Sequence, residues 1–248
     1  MAEEADDLCP DRPGLGTPTC TVPPGGIVGE LGIAAWERDG DAISRTDTIM
    51  AGEMLLRLGL AEGLEAQVGW DAYGHVRTRD LESGTTDRIA RVGDLTLALR
   101  HTLHDPGERG FSMAVMPYAT LPTGRMPIGA GDWGAGLLLP LALTLTENVS
   151  LSATPQIDAA VDSDGSGRHL AFGSVLGLDF ALGNRLGAAT EISLYRDRDP
   201  EGHDTIILAG FSAAWQPNDA MQFDLGVNIG LNSASPDSQV YFGIARRF

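Results

Sequence analysis

The sequence has 248 residues, of which 43% are hydrophobic and 21% are charged, and this composition excludes an intrinsically disordered chain. The formal net charge is −17, and all 17 basic residues are arginine. Because binding to nucleic acid requires cationic side chains that neutralise phosphates, neither DNA nor RNA is an expected partner. No apolar run approaches the roughly 18 residues that a transmembrane helix needs.

Residues 1–25 are predicted to form an irregular N-terminal extension, because five prolines interrupt any regular secondary structure there. The only two cysteines, Cys9 and Cys20, lie in this segment. Two cysteines without nearby histidines are too few for a zinc site. We therefore predict a small-loop disulfide formed in an oxidising compartment, with two free thiols as the alternative.

From residue 27 onwards, apolar residues alternate with small or polar ones, which is the period of a β-strand. In residues 149–161, for example, every odd-numbered position carries an apolar or small side chain from Val149 to Val161. The pattern predicts an all-β chain of twelve strands, at roughly residues 27–38, 47–60, 64–77, 92–103, 111–121, 133–145, 149–161, 169–182, 186–196, 205–216, 221–231 and 239–248.

The connections between these strands alternate in length. Short ones are expected near residues 61–63, 104–110, 146–148, 183–185 and 217–220, and longer polar ones near 39–46, 78–91, 122–132, 162–168, 197–204 and 232–238. A soluble sandwich has no reason to sort its loops in this way, whereas an outer-membrane barrel has tight periplasmic turns and long extracellular loops. The prediction is a transmembrane antiparallel up-and-down β-barrel formed by residues 26–248, with 1–25 as an extension.

The two faces of the predicted strands support this prediction. One face is large and continuously apolar, as in Leu137–Leu145, and is expected to contact lipid. The other mixes charges with glycine, alanine and serine, which suits a crowded lumen better than a solvent-exposed surface. Phe242 and Phe248 lie on one face of the last strand, and a final strand ending in Phe is similar to the assembly signal of bacterial outer-membrane barrels. The barrel-assembly machinery is therefore an expected partner.

Four short motifs resemble one family. They are Asp-Arg-Pro-Gly at residues 11–14, Gly-Asp-Leu-Thr-Leu at 93–97, Leu-Pro-Thr-Gly at 121–124, and the terminal Phe248. Over residues 11–248 the chain resembles the outer-membrane "meta-pathway of phenol degradation" transporters. The resemblance implies a Gram-negative outer-membrane location, after removal of a signal peptide absent from this sequence, and a porin-like channel for the uptake of aromatic or other hydrophobic compounds.

The polar face supplies the candidate lumen and solute-contact residues. They are Glu53, Arg57, Glu65, Asp71, Tyr73, His75, Asp94, Arg100, Tyr118, Asp158, Asp179 and Glu191, and the same face carries Glu30, Arg77, Gln67, Gln156, Tyr195, Asp224, Asn228 and Tyr241. Because acids outnumber arginines, a pore lined by these residues would prefer cations or neutral solutes. In the alternative, Arg57 and Arg100 pair with wall carboxylates and the barrel is closed, with a structural or partner-binding role.

Enzyme function is not predicted. Neither His101 nor His169 is followed by the serine of a His-x-Ser pair, and nucleophile-elbow and phosphate-loop motifs are absent. An outer-membrane hydrolase remains a remote alternative. The loop that begins at Asp162 lacks the later ligands of an EF-hand, which excludes that type of calcium site. Divalent ions that bridge the acidic outer loops to lipopolysaccharide are the alternative to the expectation of no metal site. No cofactor is expected. Outer-membrane lipid, lipopolysaccharide and a small-molecule solute complete the expected partners.

Overall fold

The computed structural model describes residues 8–107 and 110–248, which form one antiparallel sheet of fourteen strands. The strands are β1 (Ile27–Gly40), β2 (Ser44–Ala61), β3 (Leu64–Asp80), β4 (Thr86–Arg91), β5 (Leu95–His104), β6 (Phe111–Leu121), β7 (Gly134–Leu138), β8 (Leu141–Thr146), β9 (Val149–Val161), β10 (Arg168–Ala181), β11 (Leu186–Arg196), β12 (Thr205–Asn218), β13 (Met221–Gly230) and β14 (Ser238–Arg247). Within the described ranges, no helix is long and apolar enough to cross a membrane.

The sheet closes into a barrel because β14 pairs with β1 and β9 pairs with β10. The fourteen strands occupy twelve positions in the barrel wall, because β4 lies outside the wall and β7 and β8 share one position. Strand β4 pairs only with β3, and β7 and β8 follow one another between β6 and β9. The break between them falls at Leu139–Pro140, where proline has no N–H for a sheet hydrogen bond. The predicted twelve-stranded barrel is therefore confirmed, while β4 was not predicted.

The barrel carries its apolar residues on the outside. Leu176, Ile157 and Leu225 expose between 51% and 61% of their surface. The inside is polar instead: Arg57, Glu65 and Arg100 are fully buried. This inversion of a soluble fold is what a bilayer requires, since a closed barrel satisfies every backbone group while its outer face contacts lipid.

The two ends of the barrel differ. At the turn end lie four tight connections, the longer connection between β5 and β6, the start of β1 and Phe248, whose N–H donates to the carbonyl of Ile27. At the loop end lie the connection that contains β4 and the longer segments 122–133, 162–167, 197–204 and 231–237. This sorting matches the prediction, except that β1 and β2 extend beyond their predicted limits and leave a short connection at 41–43.

Candidate functional site

The N-terminal segment lies inside the barrel, and residues 8–25 are called the plug segment below. Near the turn end, Gln216 donates to the carbonyl of Leu8 at 3.2 Å. The segment leaves at the same end, where Gly25 donates to the carbonyl of Gly59 before β1 begins. A disulfide joins Cys9 to Cys20 and closes the intervening residues into a loop. Residues 1–7 of the predicted extension fall outside the described part of the chain.

Five charged side chains, Asp11 of the loop and four from the barrel wall, form a cluster on one side of this loop. They are called the arginine latch: Asp11, Glu30, Arg57, Glu65 and Arg100. Arg57 donates to both oxygens of Glu65 at 3.0 Å, and its Nη1 also lies 3.1 Å from Asp11. Arg100 pairs with the other oxygen of Asp11. Because both guanidinium groups are completely buried, these ion pairs are shielded from water.

The wall residues of the latch also form hydrogen bonds with the backbone of the plug segment. Arg57 donates to the carbonyl of Cys9 at 2.6 Å, and Arg100 to that of Cys20 at 3.0 Å. Glu30 accepts the N–H groups of Asp11 and of the next residue, each at 2.9 Å, while Glu65 accepts that of Val22. The predicted lumen residues Arg57, Glu65 and Arg100 thus come together, but around the plug segment rather than around open space.

An ion pair outside the latch holds Arg12 of the loop. Arg12 lies 3.0 Å from Asp224 of β13, and its guanidinium carbon lies 5.5 Å from the ring centre of Tyr241. Glu53 lies on the same side of the lumen and lines a cavity together with Arg12 and Tyr241. The plug segment therefore places one arginine of its own among wall carboxylates.

The opposite side of the lumen holds the plug segment by hydrogen bonds to its backbone. Leu15 and Gly16 donate their N–H groups to the two oxygens of Glu191, each at 2.8 Å. The N–H of Thr17 donates to the hydroxyl of Thr154, which is buried. No ion pair joins the plug segment to this side within the described residues.

A cavity remains on each side of the plug segment. The one toward the turn end has a volume of about 490 Å³, and Pro13, Ser150, Asp179, Ala189 and Ser212 are among its lining residues. The one toward the loop end has a volume of about 260 Å³ and lies against Arg12 and Gly14. The plug segment thus separates two vestibules.

Asp158 organises the wall on the loop side. It accepts hydrogen bonds from the hydroxyls of Tyr118 at 2.7 Å and Tyr195 at 3.0 Å, and from the amide of Gln156 at 2.8 Å. The Tyr118 ring lies against Gly136, where a Cβ would come within 2.5 Å of the ring. The ring can therefore lie along the wall only because this neighbour lacks a side chain.

Asp94 holds a loop rather than facing open space. Its two carboxylate oxygens accept the N–H groups of Gly124 and Ala130, each at 2.7 Å, so that the loop 122–132 folds back over the barrel mouth. Asp71 lies beside it, packed against Gly93. These two predicted lumen residues are at the loop end of the site.

Tyr73 and His75 lie outside the lumen, in contrast to the prediction. Met50 and Glu53 line the same interior cavity although they are three residues apart, so the alternation changes phase between them, at Gly52 with its φ of +74°. Met50 pairs with Gly74 of β3, so Gly74 also faces the lumen, where it lies against Ile128 of the loop 122–132. Because side chains alternate along a strand, the neighbours of Gly74, Tyr73 and His75, face outward. Tyr73 is 45% exposed.

The outer loops are tied by a separate cluster. His169 Nδ1 lies 2.9 Å from Asp162 and 3.7 Å from Asp199, and its Nε2 contacts Asp197. A hydrogen bond from the N–H of Glu201 lowers the pKa of Asp199 below its ordinary value. The cluster joins the connections 162–167 and 197–204. The sequence predicted these two connections only as long polar loops.

The phenylalanines expected to signal assembly are both exposed. Phe242 faces outward on β14 and is 47% exposed, while Phe248 contacts Gly29 at the start of the barrel wall. Their recognition by the assembly machinery stays a prediction.

Sequence reasoning missed the other half of the site. Asp11 and Arg12 were read only as part of a family motif, and the carbonyls of Cys9 and Cys20 carry no side-chain signal at all. The available signal was charge: two arginines on a lumen face with an acid excess need partners, and Asp11 lies in a segment with a predicted disulfide.

Solved structures support the barrel architecture. The KdgM porin superposes with a TM-score of 0.56 at 8% identity, over 90% of this chain and 99% of that one. The NanC porin gives 0.55 at 8% identity, over 89% and 98% respectively. At this identity the likeness concerns the fold alone. No curated protein matches the chain.

One family model matches almost the whole chain. It covers residues 10–248, and therefore includes both the barrel and nearly all of the plug segment. The chain belongs to the family described as "Putative MetA-pathway of phenol degradation".

Proposed function

We propose that the protein is an outer-membrane channel for small solutes, and that its own N-terminal segment closes the channel in this conformation. The observation that carries the proposal is the plug segment between two vestibules, held by the arginine latch on one side and by Glu191 on the other. Ion pairs and hydrogen bonds, and no covalent bond, join the described plug segment to the wall, so its release needs no bond to be broken chemically.

The charges of the lumen suggest which solutes would pass. The described lumen and plug residues include three arginines, at positions 12, 57 and 100, against ten carboxylates: Asp11, Glu30, Glu53, Glu65, Asp71, Asp94, Asp158, Asp179, Glu191 and Asp224. Such a wall favours cations and neutral molecules over anions. The rings of Tyr118 and Tyr195 would offer stacking surfaces, which supports small aromatic solutes as the class.

The second candidate is a permanently closed barrel with a structural or partner-binding role. It is favoured by the extent of the plug contacts, which reach strands on all sides of the lumen: β1, β2, β3, β5, β9, β11, β12, β13 and β14. Absence of catalysis stays a prediction for both candidates.

Conductance in a planar bilayer separates the two. The wild-type chain should be closed most of the time, whereas the full-length double variant Asp11→Ala/Arg12→Ala, which loses the ion pairs of the plug segment, should show frequent cation-preferring steps. Thr17→Ala is the matched control, because Thr17 contacts Thr154 only through its backbone.

A second variant covers the case in which the plug segment stays in the lumen after its ion pairs are lost. Deleting residues 8–24 removes the segment itself and should give continuously open channels. If this variant, shown to be folded by its resistance to unfolding in detergent, is silent under the same voltage, the channel proposal is wrong and the closed barrel is favoured.

A further inference from the structure

The outer surface at the loop end of β1–β4 carries a concentration of positive charge. Two neighbouring rows of paired residues cross the strands there. The first row is Arg38, Asp47, Arg77 and Arg88, and the second is Gly40, Arg45, Arg79 and Thr86. The five arginines of these rows are called the arginine face.

The arginine face points away from the lumen. Thr48 and Met50 line the loop-end cavity. Successive side chains of a strand point to opposite faces, so Asp47 and Ile49 face outward. Ile49 is 43% exposed. Residues paired across antiparallel strands share a face, which places the remaining members of both rows outside as well. The row between them, Asp39, Thr46, Thr78 and Asp87, faces the other way. Charge is thus sorted by face.

Three of the five arginines of the arginine face form no ion pair, although Asp47 lies across from Arg77 in the first row. Asp47 is shared by Arg38 and Arg45, at 3.2 and 3.1 Å. Among the described residues, Arg77, Arg79 and Arg88 have neither an ion pair nor a side-chain hydrogen-bond partner, and Nε of Arg77 is buried without an acceptor. In a chain whose net charge is −17, this is a pronounced local excess of positive charge.

The arrangement is costly in the absence of an anion. Arg77 lies directly opposite Arg88, and Arg45 lies directly opposite Arg79. Like charges in these positions destabilise a sheet. Guanidinium groups are also the side chains best shaped to bind phosphate oxygens in pairs. The surface is therefore electrostatically complementary to a phosphorylated ligand.

The height of the arginine face indicates where that ligand lies. On β2 the outward apolar residues run from Leu60 to Ile49. At about 3.3 Å per residue and a tilt near 40°, this stretch spans roughly 28 Å, close to the apolar band of about 25 Å expected for such barrels. The row of Asp47 and Arg77 comes next beyond its upper edge, and the row of Arg45 and Arg79 follows it. Trp36, which pairs with Ile49, donates to Asp47. Headgroup phosphates are expected just beyond the apolar core of a bilayer, at this level.

We propose that the arginine face binds the phosphate groups of lipopolysaccharide in the outer leaflet. The phosphorylated headgroup would fill the space over Arg77, Arg79 and Arg88 and neutralise the two opposed arginine pairs, while its acyl chains would lie on the apolar band below. This role does not depend on conduction, and it goes beyond the proposed channel function.

Binding of lipopolysaccharide to the full chain in detergent tests the proposal. Arg77→Gln/Arg88→Gln removes one opposed pair, and its affinity for phosphorylated lipopolysaccharide should fall roughly tenfold to thirtyfold, as expected for two arginines near an anionic surface. Arg246→Gln/Arg247→Gln removes two charges at the turn end and should change the affinity less than twofold. Lipopolysaccharide stripped of its phosphates should bind the wild type and the variant equally weakly.

Thermal unfolding without any lipid gives a second readout. Relief of like-charge repulsion should leave the unfolding temperature of Arg77→Gln/Arg88→Gln unchanged or higher, and phosphorylated lipopolysaccharide should stabilise the wild type more than this variant. A lower unfolding temperature would instead indicate a purely structural role. Undiminished binding by the variant, or full displacement of lipopolysaccharide by millimolar inorganic phosphate, would also overturn the proposal.

Discussion

The two sides of the lumen hold the same plug segment by different chemistry. The side formed by β1–β5 uses long, buried, charged side chains, with Arg57 and Arg100 bound to Asp11. The side formed by β9–β12 uses small residues and lets Glu191 accept two backbone N–H groups. Charged pairs on one side fix the position of the segment, whereas small residues on the other leave the turn-end cavity open. The weaker side is therefore where we expect a passage to form first.

The largest expected effect comes from breaking the stronger side. Arg57→Ala leaves the carboxylates of Glu30, Glu65 and Asp11 buried with only Arg100 to compensate, and loss of one partner from a buried cluster typically costs about 3–5 kcal/mol. We expect the free energy of unfolding in detergent, followed by tryptophan fluorescence against urea, to fall by that amount.

An exposed arginine provides the comparison for this measurement. Arg45 pairs with Asp47 on the outer surface, and Arg45→Ala should cost less than about 1 kcal/mol. Equal losses for Arg45→Ala and Arg57→Ala would mean that the latch contributes no more than a surface ion pair, and the contrast between the two sides of the lumen would disappear.

The strands of the barrel could be predicted from the sequence, but the contents of the lumen could not. Period-two alternation gave the limits of β6, β9 and β11 to the residue, because lipid on one face and the lumen on the other impose opposite chemistry on successive positions. The destination of residues 8–25 depends on tertiary contacts of their backbone, for which side-chain patterns carry no signal.

The prediction that Tyr73, His75 and Arg77 of β3 face the lumen was wrong for a related reason. Asp71, Tyr73, His75 and Arg77 follow one another at period two, as though they shared one face. The change of phase arises on the neighbouring strands, where Ile33 of β1 has no partner in β14 and Gly52 of β2 has a positive φ. A single strand read by itself cannot reveal an irregularity that its neighbours impose. The same irregularity turns Arg77 outward and creates the arginine face.

An intermediate effect is expected on the weaker side. Glu191→Gln keeps one acceptor oxygen for the N–H groups of Leu15 and Gly16 but loses the charge, which should weaken the contact by about 1–2 kcal/mol. Hydrogen exchange of these two amides should accelerate about fivefold to thirtyfold, while amides of β1 exchange as before. Unchanged hydrogen-exchange rates at both amides would show that the latch alone holds the plug segment in the lumen.

The smallest structural effect, and the sharpest test of the path, is expected from Asp179→Asn. Asp179 lines the turn-end cavity and has no hydrogen bond or ion pair to the plug segment. The amide of the variant keeps an oxygen that can accept the hydrogen bond from Ser152, so the free energy of unfolding should change little. In the chain that lacks residues 8–24, however, it removes a negative charge from the proposed passage, and the reversal potential in a salt gradient should move toward zero as cation preference falls. Glu82→Gln, in the exposed turn between β3 and β4, is the control and should leave the reversal potential in place. If both variants keep the original selectivity, ions do not pass along β9–β12, and the passage must follow the latch side after the segment leaves.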